Sequence, residues 1–221
     1  MNEVFYERTN CRLCKSEKLE VVLEIGKTAV SDKYSLNKDD PKDLLVPLDV
    51  YMCVDCGHVQ IIHVIKPEYL WADYHFKTSL NKKLTNHYED YVKDVISFST
   101  HITNKFHLDI GSNDGTLMKL FQDQGFRSLG VDPATEIAKK ANQEGFETIV
   151  DFMNIDISKK ILKEYGEVDI ITANNVYAHI DDMHDLTNAI KNLLNKNGLF
   201  VFEVSYLDDI IDKKLLGTIF H

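Results

Sequence analysis

The chain has 221 residues, enough for one large domain or for one of ordinary size with a small companion. Lys and Arg total 25 against 35 Asp and Glu, a formal net charge of −10 that argues against sequence-independent attraction to nucleic acid or to an anionic membrane; an anionic substrate would need a local basic pocket. The opening MNEVFYERTN lacks the apolar centre of a secretory signal and no apolar run approaches bilayer length, so the expected location is cytoplasmic.

All four cysteines lie in the first quarter, as Cys11-Arg-Leu-Cys14 and Cys53-Val-Asp-Cys56-Gly57. Each C-x-x-C pair can curl round one face of a cation, and two such knuckles complete a tetrahedral thiolate site, so Cys11, Cys14, Cys53 and Cys56 are predicted zinc ligands. A redox or iron site and a disulfide pair are the competing readings, the last disfavoured in a cytosolic chain. Gly57 would relieve crowding where the backbone rounds the metal, and His58 is read as an ordinary surface residue because four thiolates already fill the site. Residues 19 to 25, 44 to 53 and 58 to 65 look like strands. Together they predict a small β-rich metal module over residues 1–65, whose limited core leaves much of the folding free energy to the metal.

Residues 66–104 are expected to connect this module to a second domain. Pro67 opens a short helix, PEYLWADY. A longer helix follows, with Leu80, Leu84, Tyr88, Tyr91, Val95 and Phe98 at helical spacing as a core stripe and Thr78 or Ser79 as its N-cap. The intervening Asp73 to Lys83 carries Tyr74, His75, Lys77, Lys82 and Lys83, a mixture that could line a pocket.

The chain is organised around LDIGSNDGTLMKLF, residues 108–121: a short apolar strand, a tight loop and a helix start. Phe106, Leu108 and Ile110 alternate, and Leu117, Leu120 and Phe121 form a helical stripe. Gly111 and Gly115 allow positive φ and close approach of a ligand to the main chain. A dinucleotide fingerprint would need G-x-G-x-x-G with its middle glycine beneath a pyrophosphate. Here Asp109, Asn113 and Asp114 surround the loop instead, and carboxylates would repel phosphates while accepting from an ammonium. The charges therefore favour S-adenosylmethionine over NAD.

From residue 105 strands and helices alternate, predicting a parallel α/β sheet for 105–221. Asp132, followed by Pro133, ends the second strand where its carboxylate can accept from ribose hydroxyls, or cap the next helix. Asp151 and Phe152 end the third strand at the height of an adenine ring; a core role for Phe152 is the alternative. Asn174 and Asn175 end the fourth strand, and His179 follows one turn later, so all three are expected to face the crevice of the glycine loop. The amides could simply close a turn, and His179 could be structural.

The combination of CRLC with CVDCGHVQ, DYHFKTS, LDIGSNDGTL with GVDPATEIAKKA, ITANNVYAHI, and FVFEVSYLDD followed by GTIFH resembles the S-adenosylmethionine-dependent sugar C-methyltransferases, which act on nucleotide-linked 4-keto deoxysugars. The resemblance implies a zinc-binding N-terminal module and a class I, Rossmann-like methyltransferase domain. Asp109, Gly111, Asn113, Asp114, Gly115, Asp132, Pro133, Phe152, Asn174 and Asn175 would then hold the cofactor. It implies a nucleotide-sugar as the partner molecule, C3 deprotonation to an enolate, and Tyr74, His179 and His221 near the chemistry. Two departures stand out. Phe76 occupies a position where many members have tyrosine, and a Tyr-His-Glu-His motif would start at Phe220-His221, where the sequence stops. A chain ending there is expected to bind the methyl donor and to turn over little substrate alone. The rival expectations are an O- or N-methyltransferase of the same fold, a non-catalytic zinc and cofactor scaffold, and an NAD-dependent oxidoreductase.

Overall fold

The computed structural model describes residues 4–31, 44–71, 74–215 and 219, and these divide into two compact units. The first comprises Met1–Leu70, Asp181–Met183 and Ser205–His221; the second comprises Trp71–Ile180 and His184–Val204.

The first unit is built from short antiparallel pairings. Strand β1 (Phe5–Glu7) pairs with β7 (His63–Ile65), β3 (Lys27–Ala29) pairs with β4 (Leu45–Pro47), and β2 (Leu19–Leu23), β5 (Val50–Cys53) and β6 (Val59–Ile61) form a sheet in the order β2-β5-β6. Two stretches that read as single strands are each divided. The first breaks at Leu48–Asp49, where the Asp49 carboxylate accepts the N–H groups of Ile25 and Gly26 at 2.8 and 2.7 Å and so turns the chain rather than extending a strand. The second breaks at Ile62, whose carbonyl accepts from Arg8 N at 2.9 Å. Val30, Val46 and Ile65 form a buried cluster, and Leu48, Val50, Ile62 and Val64 are buried as well, a small core for so many loops. Helix α1 (Pro67–Trp71) follows β7.

The second unit carries a five-stranded sheet, β8 (Phe106–Ile110), β9 (Arg127–Val131), β10 (Thr148–Ile149), β11 (Val168–Asn174) and β12 (Leu194–Glu203), in the order β10-β9-β8-β11-β12 with every pairing parallel. Helices α2 (Lys82–Phe98), α3 (Thr116–Asp123), α4 (Thr135–Gln143), α5 (Ile155–Tyr165) and α6 (Met183–Leu193) connect or cover it. The strand order reverses beside β8, which opens a crevice beyond the carboxyl ends of β8 and β11.

Two packing expectations change. The alternation of Phe106, Leu108 and Ile110 marks only part of the burial of β8: all five of its residues are buried, because a central parallel strand is covered on both sides, and His107 and Asp109 are inside too. Helix α2 starts later than predicted: Thr78–Leu80 forms a separate 3₁₀ turn, and Asn81 is the N-cap, accepting from the N–H groups of Lys83 and Leu84. The buried face of α2 is Tyr88, Val92 and Val95, packed on Leu117, Phe121 and Phe126, whereas Leu80 and Phe98 at the ends of the proposed stripe are 81% and 75% exposed. No helix among the described residues is long and apolar enough to cross a membrane.

Candidate functional site: a thiolate cluster and an acid-lined crevice

In the first unit the four cysteine sulfurs converge. Each lies within 4.8 Å of the others, with Cys11 to Cys56 at 3.7 Å and Cys14 to Cys53 at 3.5 Å. Four sulfurs about 2.3 Å from a central zinc would stand about 3.8 Å apart, so the cluster has the size and the soft-donor chemistry for that ion. Two matching turns create it. Lys15 N donates to the Cys11 carbonyl at 3.0 Å and Gly57 N to the Cys53 carbonyl at 2.8 Å, and the residue after each C-x-x-C pair has positive φ, 65° at Lys15 and 75° at Gly57. His58 is half-buried rather than a plain surface residue, and burial pulls its pKa down; its carbonyl accepts from Cys53 N at 2.9 Å.

In the second unit the glycine loop closes β8 with positive φ at Gly111 (74°), Asn113 (51°) and Gly115 (80°). The predicted need for glycine holds, but the neighbours that require it belong to the chain itself. A Cβ at Gly111 would come within 2.3 Å of Val176 Cγ2, and one at Gly115 within 2.5 Å of the Phe146 ring. Gly130 of β9, the first residue of GVDPATEIAKKA, is under the same steric constraint, since its Cβ would lie 2.4 Å from Ser112 Oγ.

The loop is also tied down by its own polar groups. Asn113 N donates to Asp132 Oδ2 at 2.8 Å, Gly115 N to the Ser112 carbonyl at 3.0 Å, and Thr116 N to Asp114 Oδ1 at 3.3 Å. The Asn113 side chain accepts from Thr78 N at 3.0 Å and donates to the Phe76 carbonyl at 2.9 Å, while Asp114 Oδ2 accepts from Ser79 N at 3.0 Å. Asn113 and Asp114 therefore hold residues 76–79 against the loop. Asp132 accepts from Ala134 N at 2.8 Å with its other oxygen, so it caps the turn through Pro133 into α4, although Ala134 holds the N-cap position itself.

A small cavity of about 20 Å³ lies at this loop, lined by Thr78, Tyr88, Asp109, Gly111, Ser112, Leu117 and Asn174. Two of its polar atoms, Ser112 Oγ and Asn174 Nδ2, are buried with no hydrogen-bond partner among the described residues, so a bound molecule with polar groups could satisfy both. Asp109 is 3% exposed, and burial, opposed by a 2.6 Å hydrogen bond from Thr172 Oγ1 and assisted by the charge of Asp132, pushes its pKa up to about 7. Burial raises Asp132 as well, against the hydrogen bonds from Ala134 and Asn113. From α2, Tyr91 OH donates to Asn174 Oδ1 at 3.1 Å, and burial raises the pKa values of Tyr88 and Tyr91. Asn175, at φ 55°, donates its backbone N–H to the Glu203 carbonyl at 2.7 Å and its side chain to Glu203 Oε1 at 3.2 Å. Phe152 is half-buried three residues beyond the short β10, its N–H taken by Asp151 Oδ1 at 2.8 Å.

Tyr74 and His179 meet the same ring. The Trp71 centroid lies 5.4 Å from that of Tyr74, edge to face, and 5.3 Å from that of His179, and burial pulls the His179 pKa down. Sequence reasoning passed over Trp71, the single tryptophan, because it sat at the end of a short connecting helix. Thr172 and His107 were also missed, since each reads as an ordinary position within a buried strand. His221 lies outside the described residues, as does Phe220.

Two family models match the chain. Residues 11–71 match a family model described as a zinc binding domain, and residues 84–217 match one described as a methyltransferase domain. Over its whole length the chain is 30% identical to the C-methyltransferase NovU of Streptomyces niveus, of which it spans 53%. It is 26% identical over 51% of its length to a ubiquinone biosynthesis O-methyltransferase of Colwellia psychrerythraea, covering 46% of that protein. The chain thus spans about half the length of these curated relatives.

Proposed function

Since the chain belongs to the methyltransferase domain family, we propose that its protein uses S-adenosylmethionine to methylate a carbon of a nucleotide-linked 4-keto deoxysugar. The observation that carries the cofactor reading is the charge of the crevice. Asp109 and Asp132 stand buried at the ends of neighbouring strands, and the loop N–H groups of Asn113, Gly115 and Thr116 already have partners within the chain. Such a site suits an ammonium and a ribose and offers little to a pyrophosphate.

Asp109, Gly111, Asn113, Asp114 and Gly115 would form the floor, Asp132 and Pro133 the ribose side, Phe152 the adenine wall, and Asn174 and Asn175 the opposite rim. When bound, S-adenosylmethionine supplies an electrophilic methyl group and leaves as the thioether. Tyr74 and His179, gathered on Trp71, orient the sugar and stabilise the oxygen that gains charge when a general base takes the proton beside its keto group. The carbon substrate is supported by the likeness to NovU; the likeness to ubiquinone O-methyltransferases supports a hydroxyl as the second reading. In the first unit, Cys11, Cys14, Cys53 and Cys56 would hold zinc as a structural ion, with all four positions filled by thiolate.

Calorimetry with S-adenosylhomocysteine and with NADH tests the cofactor, and binding of NADH alone would refute it. Transfer of a carbon-13 methyl from the labelled donor to a nucleotide 4-keto deoxysugar tests the substrate. A methyl resonance at a carbon-bound shift is expected, and one at an oxygen-bound shift would overturn the assignment to carbon.

A further inference from the structure

Behind the crevice lies a row of polar side chains that a sheet interior has no structural need to hold. His107 of β8 is fully buried and stacked on Phe121 with centroids 3.8 Å apart. Its Nδ1 lies 3.2 Å from Ser128 Oγ of β9 and its Nε2 2.9 Å from Thr172 Oγ1 of β11, and Thr172 Oγ1 lies 2.6 Å from Asp109 Oδ1. The direction of the protons follows from the chemistry. While Asp109 is ionised its carboxylate only accepts, and the Thr172 hydroxyl donates to it; a protonated Asp109 would donate to Thr172 instead. In the ionised state the Thr172 oxygen must receive the Nε2–H of a neutral imidazole, and Nδ1, left with a lone pair, faces the Ser128 hydroxyl, whose one proton is shared between it and the Met118 carbonyl at 3.4 Å. Three donors on three adjacent strands thus point one way, at the one carboxylate of the row that lines the cavity.

We propose that Thr172, backed by His107 and Ser128, is a positioning residue that favours the ionised form of Asp109 at the floor of the crevice and thereby tunes the affinity for a cationic amino-acid ligand near neutral pH. The inference rests on the S-adenosylmethionine reading of the site. The groups around Asp109 leave Thr172 and its backing row as the stabilising side of the balance. Asp132 at the end of β9 opposes its charge, Tyr88 and Tyr91 on α2 are neutral at this pH, and α3 contributes apolar Leu117 to the cavity. A hydrogen bond to a buried carboxylate stabilises the charged form and holds its pKa down, against the rise caused by burial.

The test is calorimetric titration of the intact chain with S-adenosylhomocysteine from about pH 6 to about pH 9, for the wild type, Thr172→Val, Thr172→Ser and Ser128→Ala. The ligand's own ammonium titrates alike in all four and cancels from the comparison. Wild type and Thr172→Ser are expected to share one profile. Thr172→Val is expected to have its inflection displaced upward by about one to two pH units, the worth of a hydrogen bond to a charged group, and so to lose roughly five- to fiftyfold in affinity at pH 7 and to recover as pH rises. Ser128→Ala, remote from the ligand, should shift the inflection the same way by less, and it decides the matter should Thr172→Val fail to fold. Profiles that differ only by a constant factor, with the inflection unmoved in the folded variants, would overturn the proposal. A wild type that binds no S-adenosylhomocysteine would overturn the cofactor reading and this inference with it.

Discussion

The side-chain oxygen of Asn113 accepts the backbone N–H of Thr78 at 3.0 Å, so one residue of the glycine loop holds a turn 35 positions earlier in the sequence. Its amide nitrogen holds the Phe76 carbonyl at 2.9 Å, and Asp114 repeats the arrangement on Ser79. Segment 76–79 is thereby built into the crevice wall, with Thr78 lining the cavity beside Asp109.

Removing that tie should be costly. Asn113→Ala leaves the N–H of buried Thr78 without its partner and places alanine at φ 51°, where asparagine is tolerated better. An unsatisfied buried donor costs about 1–3 kcal/mol, so chemical denaturation should show a loss of that size, with weaker binding of S-adenosylhomocysteine. A variant as stable as wild type would show that the 76–79 turn does not depend on the loop.

Gly111→Ala should destabilise for two separable reasons. Positive φ costs a residue with a Cβ about 1–2 kcal/mol, and the overlap with Val176 adds about 1–3 kcal/mol. Adding Val176→Ala should recover the part due to overlap and leave the part due to φ. Double-mutant denaturation separates them; strict additivity would mean that Val176 is not the obstacle.

Zinc removal should unfold the first unit, because its buried aliphatic side chains, the Val30, Val46 and Ile65 cluster with Leu48, Val50, Ile62 and Val64, are a small core. Chelation monitored by a colorimetric zinc assay and circular dichroism should release one zinc per chain together with a loss of β signal. Within the knuckles, Gly57→Ala should cost about 1 kcal/mol in the zinc-bound protein, since φ is +75° and no other group comes within 4 Å of the added methyl. Lys15→Gly, at the matching position with φ 65°, should be neutral or stabilising by thermal melting.

The pH dependence of stability should reveal two opposed buried groups. Burial pushes Asp109 up to about 7 and His107 down to about 3. Between about pH 4 and about pH 6.5 folded Asp109 keeps a proton that the unfolded chain has lost, so its contribution falls as pH rises. Over the same range unfolded His107 carries a proton that the folded one lacks, so its contribution rises. Each slope is about 1.4 kcal/mol per pH unit, and in the wild type they cancel. Asp109→Asn should leave the His107 slope exposed, so that the variant gains stability relative to wild type from about pH 4.5 to about pH 6.5. His107→Phe should show the reverse trend. Urea titrations at several pH values check both, and wild-type and variant stabilities that run parallel with pH would refute the pairing.

Much of this was legible along the chain because its causes are local. The C-x-x-C pairs, the glycine positions that need positive φ, the alternation of strand and helix and the acidic residues round the loop each follow from residues close in sequence, whose backbone preferences and charges act over a few ångströms. Pairing across long separations was not legible. The even alternation of Phe106, Leu108 and Ile110 could not reveal that β8 lies between β9 and β11 with both faces covered, since burial on the second face is conferred by other segments. For the same reason no local pattern marked Trp71 as the ring shared by Tyr74 and His179, Val176 as the neighbour that makes Gly111 obligatory, or Thr172 as the donor to Asp109. Sequence alone determined which chemistry the chain carries. Only the parallel sheet, by bringing residues 107, 109, 128 and 172 into adjacent strands, decided which of those groups act on one another.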